Sequence, residues 1–245
     1  GSFFCGVKKI PGGGRSMEMK MIGRIHTDFA TKFGIPRQSG LVPELMGEIV
    51  LEPEYRNPDA VRGLEEFSHL WLVWEFSKAV RSDWLPTVRP PRLGGNQRLG
   101  VFATRSPFRP NPIGLSCVRL EQIDLEDSRK PVILVSGVDM MDGTPIYDIK
   151  PYLPYADSYP EARGGFTDGT EARHVIVELP EELVTASGIP GEKLQALQGV
   201  LEQDPRPRYQ KDPQRIYGMS FGEYEVKFTV REDVLQVVEL VQREI

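Results

Sequence analysis

Short β-type segments that follow one another without a helix between each pair are the feature that most constrains the fold. A doubly wound parallel sheet needs a helical crossover between its strands, so this order argues against it. The order predicts a mainly β body, either an antiparallel barrel or a sandwich. The predicted strands are Met21–His26, Gly47–Glu52, His69–Phe76, Leu99–Thr104, Ile113–Asp124, Val132–Met140 and Arg173–Leu179.

Helix signals are few. Asn57 is a potential N-cap for a helix over Pro58–Phe67, and Gly191–Gln203 is the second candidate. Tyr224–Val230 alternates as a strand does, and a polar turn follows it. The next segment fits either a returning strand over Val234–Val241 or an amphipathic helix over Val234–Ile245.

The domain organisation follows from the Gly-, Asp-, Ser- and Pro-rich stretch 155–170, which reads as a long loop. We predict a β-barrel domain over 17–155 and a small α+β C-terminal domain over 156–245, with a helix packed on a hairpin. Residues 1–16 begin Gly-Ser and contain Gly12–Gly14, so we expect them to be an appended leader rather than natural sequence.

Composition and missing motifs exclude several classes of protein. The longest apolar run, Leu70–Trp74, is far shorter than the ~18 residues of a membrane span. Two cysteines and three histidines offer neither a disulfide framework nor zinc-ligand spacing, which predicts a reducing, cytoplasmic location and no metal. The nucleotide-binding P-loop, the Rossmann glycine fingerprint, the hydrolase nucleophile elbow and the zinc-protease motif are all absent.

Arginine is concentrated in one segment of an otherwise acidic chain. The formal net charge is −5, yet residues 81–119 contain seven arginines, no lysine and one acid, which is +6 for the segment and −11 for the remainder. Arginine favours bidentate and stacking contacts with phosphates and bases. The segment therefore predicts an anion or nucleic-acid site, although a solvated basic loop is the alternative.

The same segment combines rigidity with sharp turns. Six prolines fix its backbone, and its glycines permit close approach of a ligand. In Ser106–Pro112 the prolines remove backbone donors, so Arg105, Arg109 and Asn111 must supply polar contacts at a strand end. Phe108, Arg109, Arg92 and Tyr152 are the planar groups available to hold an unstacked base.

A second cluster follows the strand over 132–140. Asp142-Gly143-Thr144-Pro145 alone fits an ordinary hairpin turn. Asp148, Lys150 and Tyr152 lie within eleven residues of Asp142, and such groups can bind a small molecule or move protons.

The segment Gly100–Ser116, GVFATRSPFRPNPIGLS, resembles the signature of the TsaA-like (TrmO) family of tRNA adenosine N6-methyltransferases. Further segments resemble the family in the same order, and the resemblance as a whole covers the chain from about residue 19 to residue 230. They are Gly34–Gly40, Phe67–Leu72, Arg89–Gly95, Asp142–Pro145, Asp148–Tyr152 and Gln203–Tyr209.

The resemblance implies a single-sheet antiparallel β-barrel that binds S-adenosylmethionine, a small C-terminal domain and a homodimer. It also implies a substrate, threonylcarbamoyladenosine at position 37 of threonine tRNA, which lies in the anticodon stem-loop. The cofactor contacts that it implies are Pro36, Arg37, Gln38, Ser77, Lys78, Arg105, Leu115, Asp142, Gly143, Thr144 and Pro145. Many relatives have a histidine where this chain has Ser77-Lys78, which leaves at most a backbone contact there.

The candidate catalytic side chains are Asp148, Lys150 and Asn111. Asp148 or Asp142 would accept the proton of the methylated nitrogen, and Lys150 would hold the carbamoyl oxygen or carboxylate of the base. In the C-terminal domain, Arg206 and Arg208 beside Pro205 and Pro207 are candidate phosphate contacts, while solvated structural charges are the alternative.

Two rival functions remain open from the sequence. The first is a non-catalytic β-barrel module that holds a nucleotide-like ligand or RNA, since every candidate residue can serve binding alone. The second is a methyltransferase that acts on another RNA or on a small molecule.

Overall fold

The computed structural model describes residues 18–79, 83–95, 97–169, 174–206 and 212–243, and nothing is described of the Arg92 side chain. Six strands close a barrel in the order β1-β2-β7-β6-β3-β8, and β4 and β5 form a separate small hairpin. All neighbouring strands of the barrel are antiparallel. In chain order the strands are β1 (Gly23–Thr27), β2 (Met46–Leu51), β3 (His69–Glu75), β4 (Thr87–Val88), β5 (Leu99–Gly100), β6 (Ile113–Asp124), β7 (Val132–Ser136) and β8 (Thr144–Pro151).

The barrel forms because alternating residues of each strand are apolar and face inward. In β3, Leu70, Leu72 and Trp74 are buried, while the residues between them are partly exposed. Each fully buried large apolar side chain contributes about 1.5–3 kcal/mol. The mainly β class and the closed antiparallel barrel predicted from the sequence are confirmed.

Three long connections leave the barrel at the same rim, and the strand register shows why. Thr27 pairs with Gly47, Glu75 pairs with Ile113, and Ile25 pairs with Thr144. The ends of β1, β3 and β7 therefore lie beside the starts of β2, β6 and β8. Connections 28–45, 76–112 and 137–143 emerge together, so residues far apart in sequence meet at one end of the barrel.

The C-terminal part combines helices with a four-stranded sheet. Its helices are α1 (Pro154–Asp157), α2 (Glu181–Ser187) and α3 (Gly191–Glu202), and its strands are β9 (Ile176–Glu178), β10 (Tyr217–Phe221), β11 (Tyr224–Arg231) and β12 (Val234–Gln242). The sheet order is β10-β11-β12-β9, with β9 parallel to β12. The open alternative at 234–245 is thus resolved as a strand, and the helix and hairpin expected for an α+β unit are confirmed. No helix in the described part of the chain has the length and apolar content needed to cross a membrane.

The predicted helix over Pro58–Phe67 is wrong. Two short 3-10 turns stand there, Pro58–Val61 and Leu64–Glu66, separated by Gly63 in the left-handed region at φ +82°. Asn57 does cap the first turn, since its side chain accepts a hydrogen bond of 3.0 Å from the Asp59 amide. A left-handed residue interrupts the helical backbone, so the turns cannot join.

The predicted strand over Leu99–Thr104 is shorter than expected. Only Leu99–Gly100 is strand, and a 3-10 turn follows over Val101–Ala103. Val101 is buried, so this turn is anchored through an apolar side chain and is not paired as sheet. The domain boundary at 155/156 stays a prediction, and the leader over 1–16 lies outside the described residues.

The C-terminal part packs against connection 28–45. The rings of Phe29 and Phe221 meet edge to face at 5.7 Å, and the Lys193 ammonium lies 3.0 Å from Asp28 and 2.9 Å from Glu223. This connection is therefore held between the barrel and the C-terminal helices and sheet.

Candidate active site

Hydrogen bonds tie connection 28–45 to connection 76–112 and to the barrel wall. The Arg105 guanidinium donates to the side-chain oxygen of Gln38, whose amide nitrogen donates to the Arg37 carbonyl. The backbone amide of Cys117 in β6 donates to the Ser39 hydroxyl at 3.1 Å. The structure thus brings together three of the implied cofactor contacts, Arg37, Gln38 and Arg105, beside the start of β6.

On the outer surface of the barrel, Leu115, which is implied to contact the cofactor, lies near the candidate catalytic residue Asp148. Val73 in β3 pairs with Leu115 on one side and with Asp148 on the other. Adjacent strands are ~4.8 Å apart, so Leu115 and Asp148 lie about 10 Å apart across one surface. The Leu115 side chain is an apolar group in an exposed position, at 50% relative exposure.

Lys150 and Tyr152 continue this surface. The Lys150 ammonium lies 3.0 Å from the Asp148 carboxylate, and both side chains are substantially exposed. Lys150 is paired across the strands with Trp71, whose ring lies 6.0 Å from that of Tyr152. An exposed ion pair contributes little stability, so both charged groups remain available to a ligand.

The implied cofactor turn over 142–145 is bonded to β1. The Asp142 carboxylate lies 3.1 Å from the His26 ring nitrogen and accepts from the Thr27 amide at 3.2 Å. The Gly143 amide donates to the Ile25 carbonyl at 2.9 Å, and the Arg24 guanidinium donates to the Gly143 carbonyl at 2.9 Å. Gly143 has φ +72°, so the turn needs a residue tolerant of the left-handed region. Thr144 and Pro145 are buried at the start of β8.

Asp139 is a site residue that the sequence analysis missed. Its carboxylate accepts a 2.6 Å hydrogen bond from the Ser116 hydroxyl, which in turn accepts from the Trp74 indole at 2.9 Å. It also accepts from the Ser39 backbone amide. Asp139 therefore ties the loop that carries Arg37 and Gln38 to β6. The signal in the sequence is an acid placed between the apolar residues Val138 and Met140, directly after a buried strand.

Burial raises the pKa of Asp139 to about 6, although its hydrogen bonds with Ser116 and Ser39 and the positive charge of Arg105 oppose the rise. The folded protein therefore holds this proton more tightly than the unfolded chain does. Stability from this group is present below the unfolded pKa of ~3.9 and is lost as the pH rises to about 6.

We expect the difference in unfolding free energy between the wild type and Asp139→Asn to fall by about 2 kcal/mol between pH 4 and pH 6. Urea unfolding of both proteins across this range measures it. Because asparagine does not titrate, any change of this difference with pH comes from the Asp139 carboxyl group of the wild type. A difference that stays constant with pH would contradict the raised pKa.

The remaining residues implied for the cofactor and the candidate catalytic residue Asn111 lie near the same rim. Pro36 is buried, whereas Ser77 and Lys78 are exposed directly after β3. Asn111 is exposed just before β6, and its carbonyl accepts a hydrogen bond from the Ile113 amide at 2.7 Å.

Phe108 and Arg109, two of the planar groups expected to hold a base, lie in the described part of connection 76–112. Phe108 is half-buried, and its carbonyl accepts from the Leu85 amide at 3.1 Å. The Arg109 guanidinium donates to the Thr104 carbonyl at 3.1 Å and lies over the Phe102 ring. The Arg92 side chain is outside the described structure.

Of the two arginines proposed as phosphate contacts in the C-terminal part, Arg206 lies within the described structure. Arg206 is 8% exposed, and its guanidinium donates to the Asp204 carboxylate through two hydrogen bonds of 2.7 and 2.8 Å. A phosphate contact from Arg206 would require this pair to open. Arg208 lies outside the described residues.

The residues present fit S-adenosylmethionine. Guanidinium and amide donors at Arg105 and Gln38 suit its hydroxyls and carboxylate, the exposed Leu115 offers apolar surface, and Asp148 offers a negative charge on the same surface. Within the described ranges, no group of three or more His, Cys, Asp or Glu side chains is arranged to hold a metal ion.

Comparison with known proteins shows which family the chain belongs to. The family model for the N-terminal domain of tRNA-methyltransferase O matches residues 24–158, and the model for the TrmO C-terminal domain matches residues 178–243. A tRNA (adenine(37)-N6)-methyltransferase of Escherichia coli K12 is 42% identical over 235 residues, which cover 93% of this chain and 99% of that protein.

Two comparisons with Pseudomonas aeruginosa proteins agree. A relative there, named as an S-adenosylmethionine-dependent methyltransferase, is 42% identical over 89% of this chain and 95% of its own length. A crystal structure of TrmO from that organism superposes with a TM-score of 0.75 at 36% identity, covering 93% of this chain and 97% of that one. Both family models and these relatives agree, and the chain belongs to the tRNA-methyltransferase O family.

Proposed function

We propose that this protein methylates N6 of threonylcarbamoyladenosine at position 37 of threonine tRNA, with S-adenosylmethionine as the methyl donor. As a member of the family, it is an S-adenosylmethionine-dependent tRNA methyltransferase. The modified base and the choice of tRNA are the parts that go beyond family membership.

The observation that carries the proposal is the row Leu115, Val73, Asp148 on the outer surface of the barrel. It places a residue implied for the cofactor about two strand spacings, ~10 Å, from a carboxylate that can take a proton. Arg105 and Gln38 are joined to β6 beside this row through the Ser39 hydrogen bond.

S-adenosylmethionine supplies an electrophilic methyl group whose bond to sulfur breaks as the new bond to nitrogen forms, leaving a neutral thioether. The protein's part is to align the groups at ~3–3.5 Å and to exclude water. The N6 nitrogen belongs to a urea and must lose its proton, which we assign to the Asp148 carboxylate. Lys150 lies 3.0 Å from that carboxylate, which supports its assignment to the carbamoyl oxygen or the carboxylate of the base.

The direct test is incubation with labelled S-adenosylmethionine and threonine tRNA, with and without the threonylcarbamoyl group. We expect methyl incorporation only into the threonylcarbamoylated tRNA, because Lys150 then has a carboxylate to pair with. Equal incorporation into both tRNAs would contradict the substrate assignment. Retained S-adenosylmethionine with no transfer to either tRNA would favour the non-catalytic binding module.

We expect S-adenosylmethionine to bind without a metal. Thermal stabilisation by a hundredfold excess over Kd, about 2.7 kcal/mol, should persist in the presence of a chelator. Differential scanning fluorimetry with and without the chelator measures it. Loss of the shift on chelation would contradict metal-free binding.

We expect Arg105 and Arg109 to serve different ligands. Arg105 is bonded to Gln38 in the loop implied for the cofactor, whereas Arg109 lies against Phe102 in connection 76–112. Charge-assisted hydrogen bonds contribute ~1.5–3 kcal/mol, so Arg105→Ala should weaken S-adenosylmethionine binding about 10- to 100-fold. Arg109→Ala should mainly weaken tRNA binding. Calorimetry for the cofactor and filter binding for the tRNA measure both, and loss of cofactor affinity alone in both variants would refute the division.

We also propose that the protein acts as a homodimer in the cytoplasm and contacts the anticodon stem-loop. The resemblance supports the dimer, and the scarcity of cysteine supports a reducing compartment. The arginine-rich connection 76–112 supports contact with tRNA phosphates.

A further inference from the structure

Two large aromatic side chains are exposed in connection 76–112, where a soluble protein would ordinarily bury them. Phe102 is 72% exposed and Trp84 is 48% exposed. Their rings are nearly parallel, with an angle of 22° and 6.1 Å between the centroids. They form one continuous aromatic surface, which we call the aromatic platform.

The backbone around the platform is fixed, which explains why the rings stay exposed. β4 and β5 pair, the Val101 amide donates to the Pro86 carbonyl at 3.0 Å, and the Leu85 amide donates to the Phe108 carbonyl at 3.1 Å. Val101, next to Phe102, is buried and anchors the 3-10 turn. Because Val101 points inward, Phe102 is directed away from the core. The exposure therefore belongs to a defined turn rather than to a loose chain end.

The charge around the platform indicates what covers it. The Arg109 guanidinium lies 6.0 Å from the centroid of the Phe102 ring, so a cation and two aromatic planes are combined. The segment 81–119 that carries the platform has seven arginines and one acid. Aromatic planes within an arginine-rich segment match the bases and phosphates of single-stranded nucleic acid.

We propose that the aromatic platform of Trp84 and Phe102, with Arg109, stacks unpaired nucleotides of the RNA substrate beside the target base. This inference rests on the proposed function, because it assumes an RNA substrate. Phe102 is three residues from Arg105, a chain length of at most ~11 Å, so the platform adjoins the site implied for the cofactor. Stacking is tolerant of sequence, so the platform contributes affinity and position while the base at the target is selected elsewhere.

The test uses the full-length protein and a threonine tRNA anticodon stem-loop RNA. We expect Phe102→Ala to raise the Kd for this RNA about 5- to 100-fold, and Phe102→Tyr to restore it, because one base stacked on an aromatic ring contributes ~1–3 kcal/mol. S-adenosylmethionine affinity and the thermal midpoint should stay unchanged. Tyr155→Ala is the matched control, since Tyr155 is 88% exposed and lies outside connection 76–112.

Tryptophan fluorescence provides a readout of stacking itself. Binding of the stem-loop should quench the emission of the wild type, and Trp84→Phe should reduce that quenching while it retains binding. A fully paired duplex of the same length should bind with less quenching. Equal quenching by the duplex, or quenching that is undiminished in Trp84→Phe, would overturn the proposal.

The outcomes separate this proposal from the proposed function. If Phe102→Ala binds and methylates tRNA as the wild type does, the platform is refuted and the methyltransferase assignment stands. If the wild type itself neither binds nor methylates threonine tRNA, the proposed function fails instead. If Phe102→Ala or Trp84→Phe changes the sedimentation coefficient without changing RNA affinity, the platform joins two copies of this chain and the RNA assignment is wrong.

Discussion

Replacement of Asp148 by asparagine is expected to lower the rate of methyl transfer to threonine tRNA by about 10²- to 10⁴-fold, the range for loss of a general base. The carboxylate is the proposed acceptor of the N6 proton, and asparagine cannot take it. Asparagine keeps the shape and the side-chain oxygen that accepts from the Ile149 amide at 3.0 Å, so the fold should be retained. Single-turnover kinetics with saturating S-adenosylmethionine and tRNA measure the rate.

Asp142→Asn is the matched control, since Asp142 is the second carboxylate considered for the proton. It lies in the turn that is bonded to His26 and Thr27. We expect Asp142→Asn to affect cofactor affinity more than the rate at saturation. Full activity of Asp148→Asn together with normal cofactor binding would remove Asp148 from the chemistry, and a rate loss confined to Asp142→Asn would assign the proton to Asp142.

Gly114→Ala should destabilise the protein by about 3 kcal/mol or more, at or above the upper end of the range for overpacking. A Cβ atom at this position would lie 2.2 Å from the Trp74 ring, which is far inside contact distance. The indole cannot move freely, because it is buried and donates to the Ser116 hydroxyl. The substitution therefore displaces the Trp74 ring and breaks its hydrogen bond to Ser116. The hydrogen bond between Ser116 and Asp139 is disturbed in turn. Urea denaturation measures the stability.

Gly100→Ala is the control for Gly114→Ala in the same segment of the sequence. Gly100 has an ordinary φ of −57°, and a Cβ there would meet nothing within 4 Å. It should leave stability within ~0.5 kcal/mol of the wild type, as substitutions at open surface positions usually do. If Gly114→Ala were as stable as Gly100→Ala, Trp74 would have room to move and the packing at β6 would be looser than described.

The fold class was predictable because it depends on local pattern. The strand over Ile113–Asp124 was predicted with the bounds that the structure has. Alternation in Leu70–Trp74 marks one buried face, and a chain with few helix signals can bury such faces only by sheet pairing. The error over Pro58–Phe67 arose because a capping signal identifies where a turn begins and does not identify where a left-handed glycine ends it.

The candidate site was only partly predictable. Arg105, Arg109 and Asn111 stood out because arginine and asparagine interleaved with proline are unusual in a plain connection. Composition and proline spacing show that these residue types lie in a rigid segment, and the resemblance assigns roles to several of them. Neither source identified Asp139 or Phe102, because an acid after a strand and a phenylalanine in a turn are common.

Which of these residues meet depends on long-range pairing in the folded protein. Strand register brings Leu115 and Asp148 to opposite sides of Val73, and a register shifted by one residue would turn them to opposite faces of the sheet. Closure of the barrel brings connections 28–45, 76–112 and 137–143 to one rim, so that Asp139 can reach Ser39 and Ser116. Register and closure depend on contacts between residues far apart in the chain. The sequence therefore determined which chemical groups and strands were available, and long-range pairing decided which groups form a site.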